Sequence, residues 1–101
     1  MKNDPTAAQP SESWLRALRL LDADLRRRGM AERTRRAYGI DAAQLALWCT
    51  SSDLDPADVT PRVLRRYAQA LSERRAGPAT VARKLAALRQ LYRVLHEQVQ
   101  S

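Results

Sequence analysis

Apolar residues along this chain recur at three- and four-residue steps in four separate stretches, the period of a helix with one buried face. Trp14, Leu15, Leu18, Leu21 and Leu25 mark the first stretch. They predict a helix over residues 12–28, opened by Ser11 or Ser13 and stopped at Gly29. Tyr38, Ala42, Leu45, Trp48 and Cys49 form the apolar face of a second predicted helix, residues 32–50. Residues 51–60 carry Asp53, Asp55, Pro56 and Asp58 and read as a loop. Thr60-Pro61 then supplies a hydroxyl N-cap and a proline at a position that needs no N–H. Val63, Leu64, Tyr67 and Leu71 follow as the inward positions of a third helix, residues 61–75. Gly77-Pro78 stops and restarts the chain, and Val81, Leu85, Leu88, Tyr92, Leu95 and Val99 line a fourth helix from residue 78 to about 98. No stretch alternates convincingly with the period of a strand. The pattern predicts an all-α, compact four-helix domain over residues 12–99, preceded by a disordered lead, residues 1–11. Short loops make the first and second helices, and the third and fourth, natural neighbours.

Composition narrows what such a domain can do. A chain of 101 residues has room for one modest core. Its single cysteine and single histidine, Cys49 and His96, exclude an internal disulfide and zinc sites of familiar spacing, so no metal or cofactor is expected. No apolar run approaches the roughly 20 residues of a membrane span, and the first ten residues lack the apolar core of a signal peptide. A cytoplasmic protein with no membrane partner is expected. No acid–base pair, metal cluster or phosphate loop suggests an enzyme, and no catalytic residue is assigned.

The charge is informative. Lys and Arg number 18 against 11 Asp and Glu, a net charge of +7. Nearly all the basic residues are arginine, which suits bidentate contacts to phosphate or guanine. Arg26, Arg27, Arg28, Arg33, Arg35 and Arg36 crowd the first turn-around, while residues 62–93 hold a second basic series with Glu73 as the only acid. The acids Asp22, Asp24, Asp53, Asp55 and Asp58 are expected elsewhere, leaving one positive face. Surface arginines are commonly just solvated, and Arg26–Arg28 and Arg74–Arg75 sit at helix C-termini, which favour cations for structural reasons. Arg33, Arg35 and Arg36 instead open a helix, where the dipole disfavours cations and an external phosphate would compensate them.

Arg83 and Lys84 repeat that arrangement early in the fourth helix. Thr34 and Thr80 place short hydroxyls beside the two helix starts, suited to a backbone phosphate or to local capping. The fourth helix, read with Val81, Leu85, Leu88 and Tyr92 inward, turns Thr80, Arg83, Ala87 and Gln90 outward. Ala79, Ala86 and Ala87 would then let its backbone approach a major groove closely. Alanine also fills exposed helix positions simply as the best helix former. Tyr38, Tyr67 and Tyr92 fall on apolar faces, where packing is their expected use, and Cys49 reads as a core filler.

Four segments in order carry a family resemblance. Thr34 and Tyr38, with Asp41, Leu45 and Trp48 behind them, match a second-helix pattern. Asp58-Val59-Thr60-Pro61 looks like a family junction, and Pro78, Thr80, Arg83-Lys84-Leu85, Ala87-Leu88-Arg89 and Tyr92 are the closest match. Over about residues 12–98 the chain resembles the N-terminal core-binding domain of tyrosine recombinases, the phage integrases and Xer-type recombinases. Ala31 and Gly77 depart from the usual serines, and Arg35 stands where an apolar residue is usual.

The resemblance implies a SAM-like orthogonal bundle forming half of a C-shaped clamp on double-stranded DNA. A separate catalytic domain of the same parent protein would form the other half, and other protomers of a synaptic tetramer would be further partners. It carries DNA contact to Arg33, Thr34, Arg36, Thr80, Arg83 and Lys84, with Arg89 as an additional residue. The chain stops before a catalytic domain could begin, so it is expected to grip DNA and cut nothing. Two other readings fit the same charge pattern: a stand-alone DNA-binding regulator, and a basic helical module that binds an acidic protein.

Overall fold

Helix boundaries fall where capping chemistry puts them. The computed structural model describes residues 9–74 and 76–100, with side chains described as far as residue 97. Its elements are α1 (Glu12–Arg27), α2 (Glu32–Ser51), a short 3-10 turn (Pro56–Asp58), α3 (Pro61–Glu73) and α4 (Pro78–Gln100). The fold is all-α, as expected, with no strand among the described residues. The Ser11 hydroxyl accepts from the Trp14 N–H, and the Thr60 hydroxyl accepts from the Val63 N–H at 3.2 Å. Ala31 opens α2 with no side chain to do the same. Val99, Arg75 and residues 1–8 of the expected lead lie outside the described side chains.

Two helices end in the same left-handed device. At Gly29, φ is 75°; its N–H donates to the Arg26 carbonyl and the Met30 N–H to the Leu25 carbonyl, both at 3.0 Å. Asp53 closes α2 likewise at φ 58°, with the Leu54 N–H donating to the Cys49 carbonyl at 2.8 Å. A left-handed residue with a Cβ is strained by roughly 1–2 kcal/mol, and aspartate is one of the few that adopts it. The turn that follows aims the Leu54 carbonyl at the indole of Trp14, whose Nε1 donates to it at 2.8 Å. The largest buried side chain of α1 therefore keeps its one polar atom satisfied. The expected 51–60 loop includes the 3-10 turn, where the Asp58 carboxylate accepts from the Asp55 N–H and Val59 plugs the core.

The core is filled by Trp14, Leu21 and Leu25 from α1, Ala42, Leu45 and Cys49 from α2, Val63, Tyr67 and Leu71 from α3, and Leu88, Leu91 and Val94 from α4. Each fully buried leucine contributes about 1.5–3 kcal/mol relative to exposure. Burial pushes the Cys49 thiol up to about 11, with the charge of Asp58 adding to it, so this sulfur stays protonated and inert at neutral pH. Trp48 and Tyr67 meet edge-on-tilted with ring centroids 5.2 Å apart, tying α2 to α3.

One face was misplaced by periodicity. Ala87 is fully buried, and Leu91 and Val94 are buried with it, whereas Val81, Leu85, Tyr92 and Leu95 are only half-buried. The buried centre of α4 is thus rotated by roughly a quarter turn from the expected stripe, at 100° per residue. The cause is tertiary. α4 packs against α1, α2 and α3 at once, so its apolar arc is wide and its period marks only one edge. Ala87 cannot be a groove-facing residue; the exposed alanines of α4 are Ala79 and Ala82, with Ala86 half-buried beside them.

Candidate nucleic-acid interface

Arginines cluster in this molecule around buried carboxylates rather than away from them. Asp24, 4 % exposed, takes hydrogen bonds from Arg27, from Arg28 at 3.0 Å and from Arg93 of α4 at 3.0 Å. Removal from water raises its carboxyl pKa, but the Arg28 hydrogen bond, the nearby Arg93 charge and bond, and the Arg27 charge outweigh that and hold it below the usual value. Asp22 takes Arg26 and Arg35, each at 3.1 Å. The expectation that Asp22 and Asp24 lie apart from the basic residues is therefore overturned. A helix that presents acids and arginines within one turn folds them onto each other, and only the tertiary approach of Arg35 and Arg93 completes the sets.

Arg35 is drawn into this network. Its side chain is 19 % exposed and its Nε is buried without a partner, so it is a seam residue between α1 and α2 compensated from within. Arg36, by contrast, is exposed and makes only a surface pair with Glu32 one turn back, worth about 0.3–0.5 kcal/mol and readily exchanged for phosphate. Arg33 is exposed and has no acidic partner among the described residues; Thr34 beside it is half-buried. Arg26, Arg27 and Arg28 pair with Asp22 and Asp24 of their own helix, although the side chains of Arg26 and Arg27 stay 69 % exposed.

A second buried acid organises the start of α4. Asp41, 1 % exposed and in the middle of α2, accepts from Arg83 at 3.2 Å and from the Lys84 ammonium at 3.0 Å, both on Oδ1. Its Oδ2 is buried with no partner. Lys84 also donates to Gln44 and its side chain is only 12 % exposed, so its charge is committed to the α2–α4 contact. Arg83 remains 56 % exposed while bonded and is free to turn outward. Thr80 and Arg89 are exposed, and Arg89 has no acidic partner among the described residues.

Hydrogen bonds fix how the two helix starts relate. Lys84 joined to Gln44 places the first turns of α4 beside the middle of α2, while Arg28 joined to Gln90 at 2.7 Å places the turn before α2 beside the middle of α4. Ten residues separate Thr80 from Gln90, roughly 15 Å of helix. Thr34 and Thr80 are therefore not neighbours; they stand toward opposite ends of the α2–α4 contact. Sequence reasoning recognised Asp41 as a family-like position but missed its pairing with Arg83 and Lys84, because contacts more than forty residues apart leave no local signal.

Among the described residues no group of His, Cys, Asp and Glu could hold a metal ion, and no helix is long and apolar enough to cross a membrane. The family described as Phage integrase, N-terminal SAM-like domain, matches residues 12–98. The chain belongs to this family. That membership implies a role in DNA binding and recombination, with DNA and other integrase domains as partners, for a domain distinct from the catalytic one. Comparison with curated proteins and with solved structures returned no match.

Proposed function

We propose that this domain grips duplex DNA for a tyrosine recombinase, using the starts of α2 and α4, while a separate catalytic domain of the same parent performs strand transfer. The observation that carries this reading is the outward surface of α4. Ala79 and Ala82 are exposed and Ala86 half-exposed, a ridge with little side chain on it, and the exposed Arg89 without an acidic partner among the described residues stands at its end. A helix so shaped fits a major groove about 12 Å wide. Standing toward opposite ends of the α2–α4 contact, the two helix starts let Arg33, Thr34 and Arg36 meet phosphates on one side of that groove while Thr80 and Arg83 meet the other. Arg89 reaches a base edge or phosphate farther along. Lys84 serves by holding Asp41 and so setting the position from which Arg83 reaches out.

The domain contributes affinity and register, acts in the cytoplasm where its DNA lies, and works beside other protomers of a synaptic tetramer. Fluorescence anisotropy with a duplex of about 30 base pairs across a salt series tests this, with Arg83→Ala and Thr34→Ala beside the parent. Each phosphate contact adds about −0.9 to the slope of log affinity against log salt. Salt-dependent binding that weakens in both variants, with helicity unchanged, is expected. A folded parent that does not bind at low salt would overturn the reading in favour of an acidic protein partner.

A further inference from the structure

The outward face of α3 is where this fold leaves positive charge unanswered. Arg62, Arg65 and Arg66 stand at i, i+3 and i+4, opposite the buried Val63, Tyr67 and Leu71, and all three are exposed. None has an acidic partner among the described residues, and the one acid of the helix, Glu73, is its last residue. Like charges at these spacings repel one another, so the row is held against its own electrostatics. It also continues onto α4. Arg65 and Arg89 border one shallow groove floored by Leu64, Ala68 and Leu85. On the other flank the Arg66 guanidinium lies 6.0 Å from the centroid of the Trp48 ring, which orients it against α2 and leaves Arg62 and Arg65 as the unrestrained members.

Resting on the DNA-binding reading above, we infer that the α3 face is a second phosphate-binding rail for the same duplex, with Arg62 and Arg65 as its contacts. Arg89 is shared between this rail and α4. Duplex DNA offers one negative charge per about 1.7 Å of axis, so a rigid row at helical spacing meets phosphate at every step without either partner having to fold. An acidic polypeptide would have to order itself to match the row. Arginine forks suit the tetrahedral, multi-oxygen target better than single carboxylates spaced along a peptide.

The test compares Arg62→Gln/Arg65→Gln with Arg16→Gln/Arg19→Gln, which removes the same charge from the exposed face of α1. Arg33→Gln reports on the α2 contact independently. All are measured by anisotropy on the same duplex across the salt series, with helicity checked by circular dichroism, and by titration with polyglutamate. The expected result is a salt slope shallower by about 0.9 for each α3 arginine removed, with the α1 pair changing it little. If the α3 variant behaves like the α1 variant while Arg33→Gln weakens binding, the α3 rail is overturned and the α2–α4 grip stands. If the α3 variant keeps DNA affinity but loses polyglutamate binding, the face belongs to an acidic protein and the inference falls. If the folded parent does not bind DNA, both readings fall together.

Discussion

The α1–α2 turn and the outward face of α3 spend arginine in opposite ways. Around the α1–α2 turn, Arg26, Arg27, Arg28 and Arg35 are bound to Asp22 and Asp24, and the two aspartates act as staples for the turn. On α3, Arg62, Arg65 and Arg66 find no acid among the described residues, nor does Arg74 at its C-cap. Both stretches are rich in arginine, so density alone does not mark a binding surface. What separates them is whether a carboxylate lies within a turn of helix or is brought in by packing. Neutralised arginine supports the fold; unneutralised arginine is available to an anion. Asp41 joins α2 to α4, because it takes Arg83 and Lys84 of α4 from the middle of α2.

The largest effect of a single substitution is expected at Asp24. Asp24→Asn leaves Arg27, Arg28 and Arg93 without their common anion. A loss of about 2–3 kcal/mol is expected in urea unfolding, below the roughly 3–5 of a fully buried pair because these arginines can turn toward water. Acid sharpens the same point. The folded-state pKa of Asp24 lies below its ordinary 3.8, so its contribution to stability is fully present above that value and is lost as pH falls through the folded value. Urea midpoints followed downward from pH 5 should therefore decline more steeply in the parent than in Asp24→Asn.

Asp41→Asn comes next, at about 1–3 kcal/mol, since a neutral amide replaces an acid that answers two cations. This variant separates fold from grip. Arg83 is released outward, so affinity per folded molecule should be kept or raised at low salt while stability falls. Equal loss of both would mean that Asp41 sets the aim of Arg83 more than it restrains it. A third contrast is between single arginines. Arg35→Gln should cost about 1 kcal/mol, whereas Arg62→Gln should stay within about 0.5 kcal/mol of the parent, measured by the same unfolding curves. If Arg62→Gln is as costly as Arg35→Gln, the division between the α1–α2 turn and the α3 face fails. The smallest effect is at the uncapped start of α2. Ala31→Ser restores an acceptor for the first turn and should stabilise by about 0.5–1 kcal/mol with no change in the salt slope of DNA binding.

The helix boundaries were legible because their causes are local. Ser11, Gly29, Thr60 and Pro61 each act through hydrogen bonds or backbone angles within a few residues, and each does in the structure what its type and position predict. Most of the inward face of α1 and that of α3 were legible for a related reason: one apolar stripe on each is buried, Trp14, Leu21 and Leu25 on α1 and Val63, Tyr67 and Leu71 on α3, with Leu15 of the expected stripe left out of the core. α4 was not, because it touches three helices and its apolar arc has no unique centre. Reading Ala87 as groove-facing followed from that, and Ala82 was missed as a member of the exposed ridge. The free row on α3 had a sequence signal in the 62, 65, 66 spacing opposite Val63 and Tyr67. Its meaning depended on knowing which other arginines are already answered.

By itself, then, the amino-acid order determined four helices, their caps, an all-α core and a strong excess of arginine. It also determined the family, through residues spread over 12–98. Only the tertiary structure decided which arginines are spoken for. Pairing of Asp24 with Arg93 and of Asp41 with Arg83 and Lys84 joins positions dozens of residues apart. The physical reason is range. Capping and helical period act over three or four residues and are written in the local sequence. An ion pair depends on distance in space, and no local pattern encodes which helix a carboxylate will meet.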